Sequence, residues 1–350
     1  MLAFVYSNSE HLNYNPFDTV YRFDSPYWSV LDKQGFIYLV DSNSKRITKM
    51  TLDGEVQWYL TGGERGEGRI FDIRDFSVSS RGDVYICSST VDLVTNNYTR
   101  HDFLKFSPDG NFIKTVASYE RTVSSFFLIR NEAEDKFYYS DYERATNESV
   151  LIAYDMARDA TVEVSRVKFE YNNFRGITGW AGPSTSELLV TSQRGGSFRL
   201  LPGGSVEVHI PAGKMPYFDH IWPAAGGQLL YHTFDDMNIY RIRGIETAEV
   251  FLSRERICEL LGTKSFYFLW VDPGPRDEIT AVDNLTKRII TLSSKGELIS
   301  AIGEGRLSQR LFAKRLAVWL AAALLALAAL YAAGRFYYRV FAKKTSIIIQ

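Results

Sequence analysis

Two stretches of this chain align without a gap, and the repeat that they define constrains the fold more than any other feature. The first runs from Gly35 to Val56 and the second from Asp277 to Leu298. In each, an Asp is followed five residues later by Arg-Ile and thirteen residues later by Gly-Glu. The residues between the turns are mainly β-branched or aromatic, which predicts short strands, so the repeated unit is a small β-sheet.

Weaker copies of the unit lie between these two, and the second copy carries an insertion around Thr95 to Arg100. A four-stranded sheet cannot bury both faces alone, so six units averaging about 48 residues predict a six-bladed β-propeller. A pair of all-β sandwiches is the alternative fold. In the first copy the predicted strands are Trp28 to Asp32, Phe36 to Val40, Ile47 to Leu52 and Val56 to Leu60. The six copies are anchored at Gly35, Gly82, Asp135, Ser186, Gly227 and Asp277.

The repeat pattern D-x-x-G-x-I-Y-x-x-D-x-x-x-x-R-I…G resembles the NHL and YWTD class of six-bladed propellers. The resemblance covers roughly residues 25 to 303 and is strongest in the first and last copies. In that class the Asp and Arg mostly serve the blade itself, since a turn Asp accepts backbone hydrogen bonds and an Arg pairs with a carboxylate. The resemblance therefore implies structural roles for Asp41, Arg46, Asp283 and Arg288.

A continuous apolar segment follows the repeats. Residues Leu316 to Gly334 read LAVWLAAALLALAALYAAG, 19 positions without a charge, which is close to the length of a membrane-spanning helix. The predicted organisation is a single transmembrane α-helix after the all-β propeller. Residues 1–24 are an N-terminal extension or edge strand, 25–303 the propeller, 304–315 a basic linker, 316–334 the span and 335–350 a short basic tail.

Charge is divided unevenly along the chain. The first 305 residues hold 32 basic and 41 acidic side chains, and the remainder holds eight basic and no acidic ones. A body this acidic argues against nucleic acid as a partner. Four basic residues lie on each side of the span, so they do not set its orientation. With Met1 as the start there is no signal peptide and the propeller is cytoplasmic, whereas a start further upstream would make it extracytoplasmic.

The predicted inner strands begin with large aromatic residues that have polar neighbours. Two interpretations are open, namely packing between adjacent blades, or an aromatic mouth that binds a sugar, a peptide or a protein partner. The aromatic positions are Trp28, Phe76, Phe127, Trp180, Trp222 and Trp270. The binding candidates are Arg74, Asp75, Arg175, Trp180, Asp219, His220, Trp222 and Trp270.

No HExxH, GxSxG, P-loop or Rossmann pattern occurs in the sequence, and no cofactor is predicted. We therefore predict a non-enzymatic sensor, receptor or accessory module of a membrane assembly. One alternative is a scaffold for a membrane complex, and another is a metal-dependent lactonase or lyase. Six-bladed enzymes that resemble gluconolactonases hold a divalent cation at the channel mouth, which here would imply Ca²⁺ near Asp24, Asp75, Ser124, Arg175, Asp219 and Tyr267.

Overall fold

A computed structural model describes most of the propeller region and the C-terminal helix. The described residues are 26–41, 46–61, 68–92, 97–119, 129–131, 136–143, 146, 148–168, 188–191, 197–200, 206–210, 220–224, 228–233, 235–243, 247–274, 276, 278–303 and 309–345. Within them, twenty-three strands form six antiparallel sheets, each built from strands that follow one another along the chain. The expected N-terminal extension lies outside these residues.

The sheets are numbered here in chain order, and the first three have four strands each. Sheet 1 contains β1 (Pro26–Leu31), β2 (Phe36–Asp41), β3 (Arg46–Thr51) and β4 (Val56–Thr61). Sheet 2 contains β5 (Ile73–Val78), β6 (Val84–Asp92), β7 (Asn97–Phe106) and β8 (Phe112–Tyr119). Sheet 3 contains β9 (Ile129–Asn131), β10 (Lys136–Glu143), β11 (Glu148–Asp155) and β12 (Ala160–Lys168).

Sheet 4 has three strands and the last two sheets have four. Sheet 4 contains β13 (Leu188–Thr191), β14 (Ser197–Leu200) and β15 (Val206–Ile210). Sheet 5 contains β16 (His220–Ala224), β17 (Gln228–His232), β18 (Ile239–Arg243) and β19 (Thr247–Leu252). Sheet 6 contains β20 (Phe268–Pro273), β21 (Ile279–Asp283), β22 (Arg288–Leu292) and β23 (Leu298–Gly303).

The arrangement is an all-β propeller, as predicted, but its complete blades number five among the described residues and not six. Sheet 4 occupies the interval of the fourth repeat and lacks an inner strand within the described residues. The residues that would supply that strand, 169–187, lie outside the described part of the chain.

The blades pack side by side through apolar faces. Trp28 of β1 and Phe76 of β5 lie with ring centroids 6.0 Å apart in the core between sheets 1 and 2. Sheets 6 and 1 share a second core, and Ser300 Oγ donates to the carbonyl of Leu52 at 2.5 Å. The first and last sheets are therefore neighbours, and they meet by packing between complete blades without exchanging a strand. The core between sheets 6 and 1 contains Leu31, Ile37, Leu39, Met50, Val282, Ile289 and Ile302.

At one end of the blades, which we term the turn end, the described tight turns join the first strand to the second in sheets 1 and 2, and the third to the fourth in sheets 1, 2 and 6. In the first such turn the N–H of Gly35 donates to the carbonyl of Asp32 at 3.1 Å. Asp32 Oδ1 accepts from the N–H groups of Gln34 and Phe36 at 2.9 and 2.8 Å. Gly35 has φ of +86°, a conformation that favours glycine. Ser or Thr replaces the Asp in equivalent turns that begin at Thr51, Ser79, Ser107 and Ser293.

The opposite end, which we term the loop end, carries the second-to-third strand connections and the links between blades. Two contacts show that neighbouring blades have the same orientation. Gln34 Nε2 donates to the carbonyl of Ser80 at 3.3 Å, which joins the turns of sheets 1 and 2. A Cβ on Gly274, in the turn of sheet 6, would lie 2.9 Å from Leu31 of sheet 1. The loop ends of these sheets therefore lie on a common face.

Two helices accompany the sheets. Helix α1 (Arg254–Leu261) lies between β19 and β20, begins with Ser253 as its N-cap and ends at Gly262 with φ of +61°. Helix α2 (Gln309–Thr345) is longer than the predicted span at both ends. Within its segment Leu316–Arg339, an 18-residue window has a mean hydropathy of 2.3 and is 0% buried, and the segment is long enough to cross a membrane at ~1.5 Å per residue. The predicted apolar helix is therefore present, and its residues 316–339 do not pack against the described part of the propeller.

Candidate functional site

The Asp-Arg pair of the first repeat lies at the loop end of sheet 1. Asp41 ends β2 and Arg46 begins β3, and the two are partners in the strand register. Asp41 Oδ2 lies 3.6 Å from an Arg46 guanidinium nitrogen, and both residues are buried. This ion pair joins the two strands of one hairpin, so the two opposite charges stabilise each other within a single blade.

The equivalent pair in sheet 6 makes different contacts. Asp283 Oδ1 accepts from the N–H groups of Tyr267 and Leu285 at 2.8 and 3.0 Å, and Asp283 Oδ2 accepts from the hydroxyl of Thr286. Arg288 donates to the carbonyl of Leu261, at the C-terminus of α1, at 3.1 Å. A cation at a helix C-terminus is favourable because the carbonyl dipoles there are unsatisfied.

The loop end of sheet 2 extends beyond that of sheet 1. Strands β6 and β7 have nine and ten residues, whereas β2 and β3 have six each. The inner strand β5 starts at Ile73, opposite Ser88, but the β6–β7 pairing continues to Asp92 and Asn97. At ~3.3 Å per residue the hairpin projects roughly 13 Å past the inner strand. The described part of the predicted insertion, residues 97–100, therefore belongs to a protruding hairpin.

Three polar side chains meet where the outer part of this hairpin faces the start of the inner strand. The Arg74 guanidinium lies 4.5 Å from the centroid of the Tyr98 ring, and Arg74 Nη1 donates to Tyr98 Oη at 2.5 Å. Asp72 Oδ2 lies 3.8 Å from Arg74 and 3.5 Å from Tyr98 Oη. Arg74 keeps 39% of its side chain exposed. We name these three residues the Arg74 cluster; it presents a positioned guanidinium to solvent, as recognition of a carboxylate or peptide requires.

The other polar candidate of this strand has a different setting. Asp75 is buried, and its Oδ1 accepts from the N–H of Phe76 at 2.7 Å. The aromatic positions Trp28 and Phe76 are buried in the core between sheets 1 and 2, as the packing interpretation of those two residues requires. Arg74 is the extra residue of a β-bulge between Ile73 and Asp75, which exposes its side chain while the Asp75 side chain stays buried.

The remaining candidates are located only in part. His220 and Trp222 belong to the backbone of β16, the inner strand of sheet 5, and Trp270 belongs to β20 of sheet 6. The other predicted positions Arg175, Trp180, Asp219, Asp24, Ser124 and Phe127 lie outside the described residues.

Sequence reasoning missed the Tyr98 and Asp72 members of the Arg74 cluster. Tyr98 lies in the insertion, where no repeat partner marks it, and Asp72 lies in the link between sheets 1 and 2. The available signal was the insertion itself, since extra residues at one end of a blade extend a hairpin there.

A buried histidine lies within the same hairpin, in β7. His101 Nδ1 is 2.7 Å from Ser89 Oγ, and both residues are buried. Burial and the nearby positive charge of Arg74 lower the pKa of His101 to about 4, against the opposing effect of Asp102. The imidazole is therefore neutral near pH 7, and its hydrogen bond with Ser89 lies inside the blade.

No group of three or more His, Cys, Asp or Glu side chains among the described residues could hold a metal ion. Four of the six expected channel positions, Asp24, Ser124, Arg175 and Asp219, lie outside that part of the chain. The Ca²⁺ site stays a prediction.

Comparison with family models and with curated proteins gives no match. Solved structures match over most of the chain. A streptogramin B lyase structure is 13% identical, covers 82% of this chain and 85% of its own, and has a TM-score of 0.52. A protein of unknown function from Bacteroides thetaiotaomicron is 11% identical, covers 79% and 71%, and also has a TM-score of 0.52.

The WD40 repeats of RRP9 also match, at 10% identity and a TM-score of 0.50, and cover 80% of this chain and 81% of their own. At such identities the similarity shows the propeller fold alone. A lyase and a WD40 protein among the matches illustrate that propellers support unrelated functions.

Proposed function

We propose that this chain is a membrane-anchored, non-enzymatic β-propeller that binds a partner through the loop end of its blades. It would act as a sensor, a receptor or an accessory subunit of a membrane assembly. The observation that carries the proposal is the pairing of a rigid propeller with an apolar helix, Leu316–Arg339, that is 0% buried. A helix that is apolar on every face and unpacked in water would expose a large hydrophobic surface, which a bilayer covers.

We also propose that the ring contains six blades of the NHL type. The three strands of sheet 4 follow the order of second, third and outer strands in the other blades. The fourth repeat contains enough residues before Leu188 for an inner strand. The Asp-Arg hairpins of sheets 1 and 6 support the kinship of the repeat.

The loop end is the favoured binding surface because it differs between blades. Sheet 2 carries a protruding hairpin there, and the Arg74 cluster offers an exposed cation stacked on an aromatic ring. At the turn end, the described turns of sheets 1, 2 and 6 are near-identical, and their polar side chains bind their own backbone. Recognition residues usually lie on loops that a rigid scaffold positions.

The anchor is tested by replacing Leu324 and Leu327 together with Arg in the full chain. Each Arg near the centre of a span disfavours insertion by about 2.5 to 3.5 kcal/mol, so the variant should move to the supernatant after alkaline extraction of membranes. The matched control places two Arg at Val162 and Val250, which are 53% and 51% exposed on outer strands. Retention of the Leu324/Leu327 variant in the membrane pellet would contradict the proposal.

Partner binding is tested by cross-linking in native membranes followed by purification of the full chain. The double change Arg74→Ala and Tyr98→Ala should remove cross-linked partners that the parent protein captures. Arg81→Ala is the matched control, since Arg81 is exposed at the turn end of the same sheet. Equal capture by both variants would show that the loop end of sheet 2 is not the binding surface.

The predicted aromatic mouth has its own test. Trp180→Ala and Trp222→Ala that fold normally and lose a partner would support a binding role. Loss of folding would support packing between blades.

The side of the membrane on which the propeller lies is determined with a protease-accessible tag placed beside Asn97, near the tip of the protruding hairpin. Cleavage of the tag in intact cells would show that the propeller is extracytoplasmic, and protection of the tag until lysis would show that it is cytoplasmic. A second tag after Gln350 reports on the other side of the span.

A further inference from the structure

The chain leaves the propeller at the loop end of sheet 6. Gly303, the last residue of β23, is the strand partner of Arg288, the first residue of β22. The loop between β21 and β22, residues 284–287, ends at that same Arg288. The departure point is therefore beside this loop and not beside the turn end of the sheet.

The connection to the apolar helix is short. Five residues, 304–308, separate Gly303 from the start of α2, and a fully extended chain of that length spans roughly 20 Å. Seven further helical residues lead to Leu316 and add about 10 Å. The loop end of sheet 6 is thus held within about 30 Å of the start of the apolar segment.

Exposed apolar side chains lie beside the departure point. Leu285 is 58% exposed and Tyr267 is 39% exposed. Asp283 holds both in place, since its Oδ1 accepts from the two backbone N–H groups, and the N–H of Asn284 donates to the carbonyl of Tyr267 at 2.8 Å. Tyr and Leu fixed together on a surface suit the boundary between headgroups and acyl chains.

The local charge is opposite to that of the propeller as a whole. Residues 254–267 and 283–288 hold five basic and three acidic side chains, whereas the first 305 residues hold 32 and 41. The linker adds four basic residues and one acidic residue, which are Arg306, Arg310, Lys314, Arg315 and Glu304. Anionic lipid attracts basic groups near its surface.

We propose that the loop end of sheet 6, with Tyr267, Leu285 and Lys287 at its tip, is a contact surface for anionic lipid headgroups. This inference rests on the proposed membrane anchor. The contact would hold the ring at a fixed tilt, with sheet 6 against the bilayer and the acidic remainder turned away. The protruding hairpin of sheet 2 would then stay accessible to a partner.

The test uses the full chain with a fluorophore that lipid-borne nitroxides quench. The label is placed at Leu285→Cys in a Cys258→Ser background, because Cys87 is buried and Cys258 is only partly so. The matched control is Ile299→Cys, which is 48% exposed near the turn end of the same sheet. A third label at Ala326→Cys reports on the helix.

The protein is reconstituted in vesicles of phosphatidylcholine with phosphatidylserine, and of phosphatidylcholine alone. Each vesicle type is prepared with a headgroup-labelled lipid for the Leu285 and Ile299 labels, and separately with a lipid labelled deep in its acyl chain for the Ala326 label. The Leu285 label should be quenched several-fold more than the Ile299 label. The difference should shrink without phosphatidylserine and in the Lys287→Gln variant.

Equal quenching at Leu285 and Ile299, with the Ala326 label in the bilayer, would overturn the lipid contact and leave the anchor intact. No quenching at Ala326 by the acyl-chain-labelled lipid would instead refute the proposed anchor. Quenching of the Leu285 label in vesicles that contain only this protein, but not in native membranes, would show that another protein covers this surface. That result would also overturn the proposal.

Discussion

The turn end and the loop end of the propeller are built on different principles. At the turn end, five turns share a glycine with positive φ and a short polar residue that caps the turn. At the loop end, even the Asp-Arg pairs of the two best-matched repeats diverge, since Arg46 binds Asp41 whereas Arg288 binds the end of α1. The comparison teaches that hairpin geometry fixes the turn end, whereas the loop end is free to vary and to acquire binding surfaces.

The largest expected effect is a loss of stability on acidification that arises at the loop end and not at the turn end. His101 has a folded pKa of about 4, below the 6.5 of an unperturbed histidine. Unfolded chains therefore take up a proton first, so the contribution of His101 to stability is full above pH 6.5 and is lost between pH 6.5 and 4, by up to about 3 kcal/mol. Unfolding in denaturant across this range should show the loss, and hydrogen exchange should locate it at the loop end of sheet 2.

The control for this prediction is His101→Gln, which removes the titrating group. Its stability should be lower at pH 7 and should change less between pH 6.5 and 4. Parallel pH profiles for the parent and the variant would assign the loss to other groups.

A methyl group at two turn glycines should have unequal effects. Gly296 has φ of +79°, and a Cβ there would lie 2.7 Å from buried Leu252. Gly296→Ala should lower the free energy of unfolding by about 2 kcal/mol or more, through the left-handed conformation and overpacking together. Gly35 has φ of +86°, but nothing lies within 4 Å of an added Cβ. Gly35→Ala should therefore show only the conformational cost of about 1 kcal/mol. Equal losses of stability for the two variants in thermal unfolding would show that the contact with Leu252 of sheet 5 adds nothing to the effect of Gly296→Ala.

The divergence of the two arginines is tested by Arg288→Met. The variant loses the hydrogen bond to the carbonyl of Leu261 and should lower stability by about 1 kcal/mol. Amide exchange should increase in α1 and not in sheet 1. Arg46→Met is the matched change in sheet 1, and it should leave α1 unaffected. Faster exchange of α1 in both variants would contradict separate roles for the two residues.

The smallest expected effect on stability is that of Arg74→Ala. Its side chain is 39% exposed and its contacts with Asp72 and Tyr98 lie at the surface, so stability should change by less than about 0.5 kcal/mol. A larger loss in denaturant unfolding would show that the Arg74 cluster is structural and would weaken its assignment as a binding surface.

Much of the fold could be predicted because strand length and turn chemistry are local. The second predicted strand, Phe36 to Val40, differs by one residue from the observed Phe36–Asp41, and the final sheet follows the repeat that resembles it. The candidate site was predicted less well. Arg74 was chosen, but Tyr98 is 24 residues away and reaches Arg74 only because the hairpin is long.

The sequence by itself determined the repeat, the capped glycine turns and the apolar helix, since each depends on residues within one strand, one turn or one helix. Only the tertiary structure decided which sheets are neighbours and which residues share a face. Strand polarity directs the chain out of the propeller beside Leu285, and packing places Trp28 and Phe76 in a core and not at an open mouth. Those outcomes depend on contacts between distant segments, which no local pattern encodes.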